Sequence, residues 1–445
     1  MAAGVCEGPQ LILTPDDHHR YTTYVNGTEI ADFGPPVETT HADPTTPEHG
    51  VALNLMDIGV VVAGSGQGGC GGRWQQAGHK ILSQPRRQPG GANSRVAHPI
   101  QRTSCLLITS RCLTVCAMPR INLDDVEQAS RRALISHGAR DDAAGHVARA
   151  IRVAESNCNR ICGLYYLESY CRQLQTGRIN GTAEPVVTVD RPGAVRVDGR
   201  LGFAQSAFAS GLPAAIESAR TNGICGMSVE HTHTCTSLGY FTEQFACAGF
   251  LAIGATNATP RVSPPGGSTP VLGTNPIAMA VPDGSGGIAF QFDFSTSAVA
   301  LGKITMAAAA GDEIPLGWAV DADGHPTTDP QAALGGSLVS AGGYKGYGIG
   351  LMVEVLAAAL TGCRLSVDVP PLKAPDGRPH DLGQFYIVVD PTSYSGAGFH
   401  EKILALGESI VAQPGARLPG ADCVPTDPVE IEDDLWNLVL GLAAG

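Results

Sequence analysis

Val271-Leu-Gly-Thr-Asn-Pro-Ile-Ala-Met-Ala-Val281 and Ile288-Ala-Phe-Gln-Phe-Asp-Phe-Ser-Thr-Ser-Ala-Val-Ala-Leu-Gly-Lys-Ile304 decide the reading of this chain. Phe290, Phe292 and Phe294 recur at every second position, which predicts a strand with one buried face. Ser295-Thr296-Ser297 then precede a run of small residues, predicting a helix over 298–310 with three hydroxyls at its mouth. A helix start carries unpaired N–H groups and the positive end of the helix dipole. Hydroxyls at such a place either cap the helix or help its backbone hold a phosphate or carboxylate. Spacing alone leaves both readings open.

Working outward, helical and strand patterns alternate: helix over 204–222, strand over 224–229, helix over 237–248, strand over 250–255. That alternation predicts an α/β sheet with its ligand at the strand ends. Upstream, Asn122 and Asp125 have the spacing of a capping box. Val126, Ala129, Ala133 and Leu134 then form one helical face closed by Gly138, and a second helix starts near Asp141. Residues 346–361 make the most apolar helix, which carries Glu354 and reads as buried core.

The two opening blocks resemble the signature core of the malate/L-lactate dehydrogenase-like family of NAD(P)-dependent 2-oxo acid reductases. Further blocks follow in that family's order: Pro315-Leu-Gly-Trp-Ala-Val-Asp-Ala-Asp-Gly324, Thr327-Thr-Asp-Pro330, Gly342-Gly-Tyr-Lys-Gly-Tyr-Gly348, and Gly383-Gln-Phe-Tyr-Ile387 with Asp390-Pro391. The resemblance runs from Met118 to the C-terminus. It implies an α/β mixed-sheet fold that is not of Rossmann type, with packed N- and C-terminal helices and the cofactor part over roughly 200–365. It also implies an NAD or NADP cofactor, a small 2-oxo or 2-hydroxy acid substrate, and a cytoplasmic homodimer.

Site residues follow by the same resemblance. Where the family has Ser-His-Gly, with an Arg four residues beyond the His, this chain has Ile161-Cys162-Gly163 and Tyr166, and only Gly163, Leu164 and Tyr170 fit. The family's His is its proton donor, so Cys162 stands in the catalytic position with Tyr170 nearby. Imidazole titrates near neutrality and suits that task, whereas a thiol near pKa ~8.5 is less well matched. Losing the Arg removes a planar fork for a carboxylate, for which Arg160, Arg172 and Arg178 are substitutes out of register. Glu230-His231-Thr232-His233-Thr234-Cys235 resembles the family's second His landmark shifted by one residue, which makes His233 the remaining acid/base candidate. His231 and His233 also form an H-x-H pair, but no third metal ligand is legible, so no metal is expected. Cofactor contacts are implied for Thr256, Asn257, Asp293, Phe294, Ser295, Thr296, Ser297, Lys345, Gly346, Gly420 and Asp422. The alternative function is a cofactor-binding or structural homologue with impaired catalysis.

Composition sets bounds. Hydrophobic residues make up 43% of the 445, ample for a core, and the net charge of −13 argues against nucleic acid and anionic membranes. No apolar run is long enough for a membrane span and no signal peptide is legible. Thirteen cysteines without any C-x-x-C pair read as reduced thiols. The first 117 residues differ in character: 58–117 contain no Asp or Glu. Gly64-Ser-Gly66-Gln-Gly-Gly69 matches a dinucleotide fingerprint, yet Gly71-Gly72 would break the required helix and no acid follows before Asp124. Asp16-Asp-His-His19 reads as solvated surface. The expectation for 1–117 is an irregular, poorly ordered extension, or a region absent from the mature protein.

Overall fold

The structure, a computed structural model, describes residues 11–15, 21–25, 28–33, 118–421 and 424–445. Two units separate between Leu106 and Leu107. In the first, β1 (Leu11–Pro15), β2 (Tyr21–Val25) and β3 (Thr28–Phe33) form an antiparallel sheet in that order. These sixteen residues are the described part of the expected irregular extension. The Gly64–Gly69 and Asp16–His19 motifs lie outside the described residues.

The second unit begins with β4 (Arg120–Ile121), α1 (Leu123–Ser136), α2 (Asp141–Ser156) and α3 (Leu167–Gln175). There follow β5 (Val186–Arg191), β6 (Ala194–Asp198), α4 (Ala204–Asn222), β7 (Ile224–Thr232), α5 (Gly239–Cys247), β8 (Leu251–Thr256), β9 (Ile277–Pro282) and β10 (Ile288–Phe294). Next come α6 (Leu301–Ala310), β11 (Ala319–Val320), α7 (Pro330–Gly335), β12 (Ser337–Leu338), and α8 (Tyr344–Glu354) with a π-helical turn over Val355–Ala359. The chain ends with β13 (Leu382–Val389), α9 (Thr392–Ser395), α10 (Gly398–Val411), β14 (Val429–Glu430) and α11 (Asp433–Ala444).

Seven strands form one mixed sheet in the order β10-β9-β8-β13-β7-β6-β5. Only β6 and β7 pair in parallel. The late strand β13 sits between β7 and β8 and pairs antiparallel with both. Helices α4 and α5 bury Phe208, Phe241 and Phe245 against Tyr386 of β13, with edge-on rings whose centroids lie 4.8–5.3 Å from Phe208. A second core holds α1, α2 and α3 together with Val439 of α11, and β4 pairs with β14. The N- and C-terminal helices of this unit are thus packed together, as the resemblance implied.

Local expectations fail where long-range contacts take over. Asn122 makes no side-chain cap; the Leu123 N–H instead donates to Asp427 Oδ1 at 3.1 Å. The Phe290/Phe292/Phe294 face lies on an edge strand, so it is only partly covered: Phe290 and Phe292 are half-buried, and the exposed Phe294 stacks on Phe292 at 4.8 Å. The small-residue helix starts at Leu301 rather than 298, because 296–298 are drawn into extended pairing with Val339–Ala341. The helix read as buried core is buried on one face only, since Ile349, Leu351, Met352, Val355 and Leu360 are exposed; the enclosed polar residue on it is Glu354. It accepts from Asn275 Nδ2 at 2.7 Å and from Ser366 N and Oγ, both at 2.6 Å.

Two carboxylates hold the segments that lead to the cleft. Glu155, 4% exposed, accepts the Leu164 N–H at 2.7 Å and lies beneath Gly163, where a Cβ would come within 2.2 Å of Oε1. A side chain at 163 would push the Glu155 carboxylate off the Leu164 N–H. Burial lifts the Glu155 carboxyl above its ordinary value, against the pull of the Leu164 N–H and Arg160. A raised acid keeps its proton in the folded chain at pH values where the unfolded chain has lost it. Its contribution therefore falls as pH rises from the ordinary carboxylate pKa through the raised one. Glu155→Gln should flatten this part of the stability–pH profile, read by urea unfolding across that window. Glu354→Ala should cost about 3 kcal/mol in the same assay, since it strips the acceptor from two Ser366 donors.

Candidate active site

A tight turn after α2 carries the position at which a proton donor is expected. A 3₁₀ turn over Arg160–Cys162, then Gly163, then a second 3₁₀ turn over Leu164–Tyr166 feed directly into α3. Cys162 is half-buried. Burial, reinforced by the Asp293 charge, pushes its thiol up to about 12, while a hydrogen bond from Asn159 and the charge of Lys373 oppose the shift. At neutral pH Cys162 is a protonated thiol.

Tyr166 occupies the expected Arg position and turns inward. Its ring is buried, its hydroxyl donates to Leu372 O at 3.3 Å, and it packs edge-on with Tyr170 at 4.8 Å. A cation reaches this place from elsewhere: Lys373 Nζ stands 4.3 Å from the Tyr165 ring centroid and 5.6 Å from that of Tyr166. Of the expected substitutes, Arg160 donates to Glu430 O and Arg172 pairs with Glu168. Arg178 is enclosed by the carbonyls of Pro371, Ala374 and Arg378. Lys373 was not legible in the sequence. It lies some two hundred positions from Cys162, and a single lysine after two prolines carries no local signal.

Asp293 is the penultimate residue of β10, the strand at the edge of the sheet. Its Oδ2 accepts the Gly239 N–H at 2.8 Å and the Ser237 hydroxyl at 3.3 Å, so it closes the N-terminus of α5. Although Asp293 is open to solvent on one side, the surrounding protein raises its carboxyl pKa, with Gly239, Ser237 and Leu238 as opposing donors. A cleft of about 340 Å³ opens here, lined by Asn159, Ser237, Tyr240, Glu243, Asp293 and Gly420 among others. Gly420 takes a φ of +81°, and a Cβ there would meet Gln291 O at 3.1 Å. The volume falls in the range of small-molecule sites, about 300–1,000 Å³. A carboxylate on the floor and a bare backbone turn on the wall suit ribose hydroxyls and close approach of a nucleotide.

The remaining expected residues scatter. His233 is 1% exposed and stacks on His380 at 3.9 Å. Gln173 uses its amide N–H groups on Leu372 O and Ala374 O, so its Oε1 can only accept, at 2.6 Å from His233 Nε2. His233 is therefore the Nε2–H tautomer. Burial, His380 and Arg178 hold it well below its ordinary pKa, so it is neutral. Tyr170 is equally enclosed and its phenol lies well above its ordinary value, mainly through burial. Both groups are enclosed by protein, Tyr170 between Tyr166 and Phe203 and His233 against Gln173 and His380. Thr256 and Asn257 are buried too, donating to Gly383 O and Arg364 O respectively.

The Ser295–Ser297 segment corrects the predicted helix mouth. Ser297 donates to Val299 O and lies 2.9 Å from Ser295 Oγ, while Thr296 donates to Thr274 O. Nevertheless, Ala341 donates to Thr296 O, which places this segment beside the start of α8. Lys345 is exposed on the first turn of α8, after Gly342 and Gly343 with φ of +68° and +65°. A second cavity of about 220 Å³ lies there, lined by Gly266, Gly267, Ser340 and Gly343 among others. Gly346 is required sterically, since a Cβ would fall 1.9 Å from Ala341 O. Asp422 lies outside the described residues. Among the described residues every cysteine is free, and no helix is long and apolar enough to cross a membrane.

Comparison with known proteins accords with this geometry. The malate/L-lactate dehydrogenase family model matches residues 121–428. A Δ1-pyrroline-2-carboxylate reductase of Ancylobacter novellus is 37% identical over 303 residues, covering 67% of this chain and 89% of that protein. A (2R)-3-sulfolactate dehydrogenase (NADP(+)) of Chromohalobacter salexigens is 38% identical over 300 residues, 67% and 89% of the two chains. The crystal structure of Δ1-piperideine-2-carboxylate reductase from Pseudomonas syringae superposes with a TM-score of 0.67 at 32% identity, covering 73% of this chain and 99% of that one. The chain belongs to the malate/L-lactate dehydrogenase family of NAD(P)-dependent oxidoreductases.

Proposed function

We propose that this enzyme reduces a small 2-imino or 2-oxo acid, and that a cyclic imino acid is the better substrate. The state of Cys162 carries this reading. Reducing a ketone requires a proton at the forming alkoxide, which a group titrating near neutrality delivers best. Here the thiol at that position is raised to about 12, and the nearby buried imidazole of His233 is neutral. An imine nitrogen takes its proton from solvent before reduction, so the iminium carbon accepts hydride without a proton donor. Lys373 beside Tyr165 supplies the charge for a substrate carboxylate. Similarity to proteins named as Δ1-pyrroline-2-carboxylate reductases supports the same class.

Bound NAD(P)H supplies the hydride. Asp293, Ser237 and Gly420 line the cleft that would take its nucleoside end, and Lys345 with the first turn of α8 offers donors to phosphate. A homodimer belongs to this reading: Ile349, Leu351, Met352 and Val355 are exposed apolar side chains on α8 and its π turn. Cys162 is a poor base for oxidising a hydroxy acid, since its thiolate is scarce below pH 12.

Initial rates with Δ1-pyrroline-2-carboxylate and with pyruvate test the proposal. We expect kcat/KM to favour the imine by at least about tenfold. Cys162→Ala should leave imine reduction within about threefold, and Lys373→Met should raise KM more than it lowers kcat. Equal or better turnover of pyruvate would contradict the imine preference. Cofactor binding with no turnover of either acid would instead identify a homologue impaired in catalysis.

A further inference from the structure

Away from the cleft, three side chains from three segments converge. His231 lies near the end of β7, Cys363 follows the π turn after α8, and Asp381 immediately precedes β13. One donor atom from each lies within 4.8 Å of the other two, and all three residues are half-buried. His231 Nδ1 is 2.7 Å from Asp381 Oδ1, and the His231 N–H donates to Cys363 Sγ at 3.1 Å. The strands are paired at Thr232 and Leu382, the residues directly after His231 and Asp381. His231 and Asp381 adopt φ of +52° and +55°, which breaks the extended course of both strand ends.

We propose that His231, Cys363 and Asp381 bind a divalent transition-metal ion of the zinc type. The donor set is one imidazole nitrogen, one sulfur and one carboxylate oxygen. Such a set suits zinc or cobalt, whereas magnesium and calcium take oxygen donors. A thiolate and a carboxylate neutralise a dication, and solvent reaches the group to fill a fourth position. An outer layer is present as well: the His231 N–H points at the sulfur, and Arg364 Nε lies 3.4 Å from Asp381 Oδ2. A His–Asp pair and a backbone N–H bond to the sulfur account for the contacts singly; the metal reading rests on three different donor types from three segments meeting within 4.8 Å. The ion would tie the end of β7 to the entry of β13 and to the exit of the π turn. Those are the strand ends that carry the stacked pair His233 and His380.

Cobalt(II) titration of the full-length chain, freed of metal by chelation and kept reduced, tests the site. We expect a sulfur-to-cobalt charge-transfer band and intense ligand-field bands that saturate at one ion per chain. Cys363→Ser should abolish the charge-transfer band, whereas Cys158→Ser, at an exposed thiol elsewhere, should retain it. His231→Gln and Asp381→Asn should each weaken cobalt binding by about tenfold or more. Zinc should raise the melting temperature of the unaltered chain and leave that of Cys363→Ser unmoved. Absence of the band in the unaltered chain, or its persistence in Cys363→Ser, overturns the proposal. Should Cys363→Ser fail to fold by circular dichroism, unchanged affinity in both His231→Gln and Asp381→Asn overturns it equally.

Discussion

A single carboxylate joins the sheet to the cleft. Asp293 is the penultimate residue of an edge strand and accepts the first backbone N–H of α5 across a separation of 54 residues. A helix N-terminus and an anion attract each other, and here the chain provides both partners. The contact fixes where β10 stops and where α5 begins, and so sets the opening lined by Ser237, Tyr240 and Gly420. It also leaves a negative charge facing the cleft, which depresses the acidity of Cys162. Fold and electrostatics meet at one residue.

Burial decides the proton chemistry around it. Two imidazoles, His233 and His380, lie stacked beneath the surface with the Arg178 guanidinium close by. A cation in a desolvated neighbourhood penalises a second one, so burial and Arg178 lower both imidazoles, His380 to about 3. Gln173 and the carbonyls of the 371–378 segment hold this layer in place through His233 and Arg178. This layer contributes no acid at neutral pH, which is what favours the proposed preference for substrates that arrive already protonated.

Much of the scaffold was legible because helices and strands record their surroundings locally. The Val126/Ala129/Ala133/Leu134 face and the 204–222 helix follow from apolar spacing along one segment. The helix carrying Glu354 was read as core from its apolar composition, yet Ile349, Leu351, Met352 and Val355 are exposed on it, because composition does not say which face a helix turns inward. The site was less legible because its contacts are distant in sequence. Nothing near Ser295 announces that extended pairing with 339–341 will claim the start of the expected helix. A histidine beside a family landmark reads as an acid until Gln173, sixty positions away, is found holding it. Lys373 and the His231–Cys363–Asp381 group likewise exist only once β13 has been inserted between β7 and β8.

The account rests on a nicotinamide dinucleotide entering the opening between Asp293 and Gly420. Fluorescence titration of NADH and NADPH into the full chain and into Gly420→Val tests this most directly, because the added side chain would occupy the wall of that opening. Saturable binding of at least one dinucleotide, weakened about tenfold or more in folded Gly420→Val, is the predicted result, with some loss of melting temperature because position 420 has a φ of +81°. Equal affinity in the two proteins, or no binding by the unaltered chain, would contradict it.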